Sequence, residues 1–103
     1  MPAVVKITRE EAQRRLSDVS MEYAFFCHDG RRLHNLAELE DALATMSDEV
    51  FAYHSGKDKS DFSNWVRDVI KDETLARQLS QTSTLVQAKK VVEQRIAFLS
   101  SKI

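Results

Sequence analysis

Apolar residues recur at intervals of three and four along most of this chain, and the interruptions fall at residues that cap helices. Thr8-Arg9-Glu10-Glu11 has the spacing of a capping box, in which a hydroxyl and a carboxylate three residues on satisfy exposed amides at a helix start. The helix this predicts, over about residues 9–17, has only Ala12 and Leu16 as an apolar pair, so it should lie on the surface of the domain. Asn35-Leu36-Ala37-Glu38 repeats the cap spacing, and Leu36, Leu39, Ala42, Leu43 and Met46 continue one apolar face. Ser47 or Asp48 can cap a further helix with Val50, Phe51 and Tyr53, which Gly56 is placed to end.

The stretch from His54 to Leu79 carries the only tryptophan and three successive helix boundaries. Ser60 or Asp61 can cap a helix in which Phe62, Trp65, Val66, Val69 and Ile70 form one broad apolar face. Asp72 offers the next cap, followed by the stripe Leu75, Ala76 and Leu79, so the chain should bend near Lys71-Asp72 and lay a second short helix beside the first. Trp65 is expected to anchor a core. His54 and Asp61 flank Gly56 and are expected to meet in a structural hydrogen bond that pins the loop. From Thr82 or Ser83 the longest helix runs over about residues 83–99, with Leu85, Ala88, Val92, Ile96 and Leu99 on one stripe and Val91 and Phe98 beside it.

One segment breaks the helical period. Met21 to His28 contains Tyr23, Phe25, Phe26 and Cys27, an aromatic density that favours a strand, and Asp29-Gly30 supplies a tight turn. Arg31, Arg32 and Leu33 can return antiparallel, giving a small β-hairpin over about residues 23–34; an extended segment laid across the helices satisfies the pattern equally. The fold class expected is mainly α, a compact single domain spanning residues 1–103 with five to six helices, with that hairpin as its one open alternative.

Composition narrows the class further. Two glycines and one proline in 103 residues fit helices with short connections, and 103 residues suffice for one core. Fifteen basic and sixteen acidic side chains, interspersed, give a net charge of −1, which argues against a duplex-binding surface and against a polyanion mimic. Lys57, Asp58, Lys59 and Asp61 alternate in sign, as solvated connections do. One cysteine excludes an internal disulfide and points to a reducing compartment. The opening MPAVVKITREE is too quickly charged to be a signal core or membrane span, and no other long apolar run exists, so a soluble cytoplasmic protein is expected, with no membrane association.

For chemistry, Cys27, His28, Asp29, His34, His54 and Asp61 are the residues to weigh. No two histidines stand four apart, and no Cys/His cluster has ligand spacing, so no metal and no cofactor is assigned. Cys27 as a nucleophile would need His28 or His54 as base, yet it sits among aromatic residues where a buried, inert thiol is the ordinary outcome. Glycine-rich phosphate loops, nucleophile elbows and H-E-x-x-H are absent, so no catalytic residue and no small-molecule substrate is identified. Arg31 and Arg32 form the one local cationic pair at a turn and could take a phosphate or an acidic surface.

Taken together, FFCHDGRRLHNLAELEDALATMSDEVFAYH and SDFSNWVRDVIKDETLARQL resemble an uncharacterised prokaryotic domain family of unknown function. Its members look like an aromatic strand with F-x-x-x-D-G-R, a leucine-rich helix, a Y-x-H element and D-F-x-x-W-x-x-D-V-x-x-D-x-x-L-A. The pattern covers about residues 23–80 and lands on Phe25, Asp29, Gly30, Leu36, Leu39, His54, Asp61, Phe62, Trp65, Asp68, Asp72, Leu75 and Ala76. The resemblance implies small stand-alone proteins or accessory modules, and transfers no activity or cofactor; the first and last helices flank it.

The functional expectation is therefore a small cytoplasmic interaction or accessory module that binds a protein partner or itself. Leu85, Val91, Val92, Ile96, Phe98 and Leu99, with Arg31 and Arg32, are its candidate contact residues, and His54, Asp61, Phe62, Trp65 and Asp72 its structural motif. Two alternatives belong to other classes. One is a small metal-dependent or hydrolytic enzyme using His28, His34, His54 or Asp61; the other is a nucleic-acid accessory protein using Arg31 and Arg32.

Overall fold

In a computed structural model that describes residues 7–56 and 59–103, side-chain caps start every α-helix. Thr8 Oγ1 accepts the Glu11 N–H at 3.1 Å before α1 (Arg9–Leu16), and Asn35 accepts the Glu38 N–H at 2.7 Å before α2 (Leu36–Thr45). Ser47 serves α3 (Asp48–His54), Ser60 serves α4 (Asp61–Trp65), and Asp72 serves α5 (Glu73–Ser80). Each such cap contributes about 1 kcal/mol, satisfying an amide that has no partner inside its own helix. The expected mainly α fold is present, with six α-helices among the described residues and two small antiparallel strand pairs.

Three local expectations are corrected. Gly56 does not end α3: the helix stops at His54, Ser55 is extended, and Gly56 pairs with Lys59 in a second hairpin of β3 (Ser55–Gly56) and β4 (Lys59–Ser60). A chain leaving in extended form needs no left-handed glycine at the helix end. The last helix, α6 (Leu85–Ser100), starts after Thr84 and not at Thr82 or Ser83, because Thr84 takes the Gln87 N–H while the Thr82 hydroxyl donates to the Leu79 carbonyl and closes α5. The capping box at α1 is half made, since the Glu11 carboxylate accepts from Arg14 and Arg15 instead of reaching back. Lys57 and Asp58, read as part of a solvated connection, and the opening apolar run over residues 1–6 lie outside the described residues.

The alternative left open at residues 23–34 resolves as a hairpin. β1 (Phe25–Phe26) pairs with β2 (Arg32–Leu33) in the register Phe25 to Leu33 and Phe26 to Arg32. Its connection is longer than a two-residue Asp-Gly turn: the Cys27 N–H donates to the Arg31 carbonyl, the Gly30 N–H donates to the Cys27 carbonyl, and Gly30 has φ 97°. This is the three-residue loop that places glycine in the left-handed position, where a Cβ would be strained.

The chain does bend near Lys71-Asp72. α4 runs into one wide turn over Val66–Ile70, where the Lys71 N–H reaches back five residues to the Val66 carbonyl at 2.7 Å, and Lys71 is left-handed with φ 63°. α5 then packs against α4. The core lies between these two helices, the hairpin, and α6, which packs chiefly on α2 and also on α1 and α5. Ala12 is fully buried there, so α1 is a surface helix stitched in by one small residue. No helix among the described residues is long and apolar enough to cross a membrane.

Candidate functional site

The first hairpin folds against α3 and α4 through its alternating side chains. Phe25 points inward and stacks on Phe62 with centroids 5.1 Å apart, edge-on to Trp65 and to the His54 ring. His54, at the end of α3, is buried among them, as expected for a structural residue. Its Nε2 accepts the His28 N–H at 2.9 Å, so its proton must sit on Nδ1, which donates to Asp61 Oδ2 at 3.0 Å. The His54–Asp61 bond ties α3 to α4 across the second hairpin. It also engages both ring nitrogens, leaving no lone pair on His54 to take a proton from a substrate or to ligate a metal. Replacing His54 with phenylalanine keeps a ring in the core but strands the His28 N–H; a loss of about 1–3 kcal/mol in urea unfolding is expected, and an unchanged midpoint would show that the bond holds nothing.

The outward side chains of the same hairpin build something else. Phe26 on β1 and His28 in the loop after it are exposed, where Phe25 and Cys27 are buried. Arg32, the cross-strand partner of Phe26, places its guanidinium 5.3 Å from the Phe26 ring centre. The His28 ring lies almost parallel to Tyr53 of α3, with centroids 3.9 Å apart and planes 14° from coincidence. Lys59 of β4 brings its ammonium to 5.1 Å from the Tyr53 ring centre while donating to the Tyr53 carbonyl. The result is two exposed groups of rings and cations, Phe26 with Arg32 and the His28–Tyr53 stack with Lys59; Phe26 is 61% exposed and Tyr53 53%.

Comparison of the chain with protein families, curated proteins and solved structures gives no match. The site therefore rests on its own geometry.

The remaining candidates fall away from those rings or into the core. Arg31 is not a free cation: it binds both Asp29 and the Thr45 hydroxyl, which leaves Arg32 as the available member of the pair. Cys27 is buried, and burial pushes its thiol pKa up, away from a thiolate. His34 bonds Glu38 at the start of α2, away from His54 and His28, and among the described residues no three His, Cys, Asp or Glu side chains converge as metal ligands. Two open grooves, of about 500 and 660 Å³, run beside α4 and α5 and share Arg67 and Glu73; neither is lined by a histidine, Asp29 or Asp61.

On α6, Val92 and Leu99 are fully buried inside the chain and are not surface contacts, a correction that follows from the helix covering α2 as well as α1. Leu85, Val91 and Ile96 pack partly against the same core. Phe98 alone of that set stays exposed, with Arg95 and Lys102 each 5.0 Å from its ring centre. Arg95 reaches inward to Asp72.

Surface carboxylates paired with arginine respond to acid; Arg67 holds Asp68 below its ordinary value, and two others are shifted further. Hydrogen bonds from Arg14 and then Arg15 hold Glu11 down from its ordinary 4.5 to about 2, and the Arg31 guanidinium holds Asp29 down from 3.8 to about 2. The unfolded chain takes up these protons first as the pH falls, so the stability the two groups contribute is complete above about pH 5 and is lost as the pH falls toward about 2. Melting temperatures across that window should fall less steeply for Glu11→Gln combined with Asp29→Asn than for the parent; parallel curves would contradict the assignment.

Proposed function

We propose that the chain is a small binding module, not a catalyst, and that its contact surface is the solvent face of the first hairpin with Tyr53. The observation that carries this is the exposed rings Phe26, His28 and Tyr53, with Arg32 at Phe26 and Lys59 at Tyr53, in a domain whose other large rings are mostly built into the core. Exposed aromatic side chains joined to arginine are the composition of binding hot spots. The commitment of both His54 nitrogens weighs against the hydrolytic or metal-dependent alternative.

The resemblance to a prokaryotic family of stand-alone or accessory modules points the same way, although Tyr53 and His54 are adjacent here, one residue short of the Y-x-H spacing. A buried Cys27 suits the reducing cytoplasmic setting inferred from cysteine count. The test immobilises the purified domain and compares what it retains from host extract with what a Phe26→Ser, Tyr53→Ser variant retains. A macromolecule lost by that variant but kept by Val86→Ser, which alters an exposed valine on α6, supports the surface. Equal retention by all three places contact elsewhere.

A further inference from the structure

We infer that the macromolecule this face accepts is single-stranded nucleic acid, with bases stacked on the rings and phosphates held by Arg32 and Lys59. The inference rests on the hairpin face being the contact surface proposed above. Single strands are held sequence-tolerantly by aromatic faces that stack bases, combined with cations that follow the backbone. Both parts are present together. Phe26 is exposed on β1, His28 is exposed in the loop that follows, and the His28–Tyr53 stack joins that loop to α3 with its two rings nearly parallel. The cations stand beside the rings: Arg32 across the strand pair from Phe26, and Lys59 at Tyr53.

Charge complementarity favours a polyanion here although the whole chain has net charge −1. Asp29 is neutralised by Arg31, and Asp61 lies under His54 with Lys59 at 3.5 Å. The two hairpins thus present Arg31, Arg32 and Lys59 against Asp29 and Asp61, a local excess of one positive charge among the described residues. Glu49, one helical turn before Tyr53 on α3, is a carboxylate that would oppose a polyanion at this ring. A duplex fits poorly, because its bases are stacked on one another and this face offers only two cations beside the rings, of which Lys59 also pairs with Asp61.

Fluorescence anisotropy of a labelled oligonucleotide of about 12 residues, as oligo-dT and as oligo-U, tests this with the full chain. Expected is a Kd on the order of 10 μM at about 50 mM salt, with weaker binding to a duplex of equal length. Phe26→Ala and Tyr53→Ala should each weaken binding about tenfold, with melting temperatures near the parent's because both side chains are exposed. Arg32→Gln and Lys59→Gln should each reduce the slope of log K against log salt by about 0.7, and Glu49→Gln should strengthen binding. Binding that ignores both ring substitutions, or that prefers duplex, overturns the stacking assignment. No oligonucleotide binding, with ring-dependent capture of a host protein, assigns the face to a protein partner and leaves the binding-module reading standing; loss of both removes the two together.

Discussion

Trp65→Ala should lower the unfolding free energy by about 3–5 kcal/mol, a large share of the 5–15 kcal/mol that holds a domain of this size together. The indole is 7% exposed and wedged edge-on against Phe25, so its removal opens a cavity that helices on either side cannot close without moving. A second loss adds to the cavity. The indole N–H donates to the Tyr23 carbonyl at 2.7 Å, and this bond fastens the turn at Met21–Tyr23, and with it the start of β1, onto α4. Trp65→Phe keeps most of the volume and loses only that donor, so it should cost clearly less. Because Trp65 is the only tryptophan, the variants have to be followed by far-UV circular dichroism in urea, while the parent's own emission should be blue-shifted when folded. A cost below about 1 kcal/mol for the alanine variant would mean the indole is not a core anchor.

How much of this could be read from the chain follows from the range of the interactions involved. Thr8, Asn35, Ser47, Ser60 and Asp72 act as caps where their side chains suggested, since a cap bond spans three residues and depends on little beyond its own turn. The burial of Trp65 and Phe62 followed from helical spacing, and the His54–Asp61 bond from the short loop between them. The second hairpin was missed because Ser55-Gly56 and Lys59-Ser60 hold none of the aromatic or β-branched residues that marked the equally short first one. Gly56, read as a helix stop, was its one signal. The His28–Tyr53 stack was missed for a different reason: its rings come from a turn and a helix, and only tertiary folding lays one over the other. On α6 the apolar stripe alone does not tell an internal face from a contact surface, and α1, α2 and α5 pack on the helix whose Ala88, Val92 and Leu99 are fully buried.

The ion cluster at Asp72 is where cap chemistry and long-range pairing coincide, and it supplies the second large effect. Asp72 is fully buried, accepts the Leu75 N–H at 3.0 Å as the cap of α5, and receives Arg95 of α6 at 2.8 Å and 3.1 Å in a two-point bond, with Arg15 of α1 at 3.4 Å. One carboxylate therefore joins three helices. Burying an ion pair gains little over a well-packed apolar pair, because desolvation offsets the attraction, but removing one partner strands the other charge. Arg95→Met, which keeps the apolar stem, should accordingly cost about 3–5 kcal/mol, with Arg15 too distant to replace the lost two-point bond. Asp72→Asn retains an oxygen for the Leu75 N–H and gives up the charge, so it should also destabilise; the double variant Asp72→Asn, Arg95→Met should cost less than the sum of the two, since no charge is then left unpaired. Chemical denaturation of the four proteins measures this coupling directly. Additive losses would show that Arg95 and Asp72 act independently, and that α6 is held to α5 by its apolar face alone.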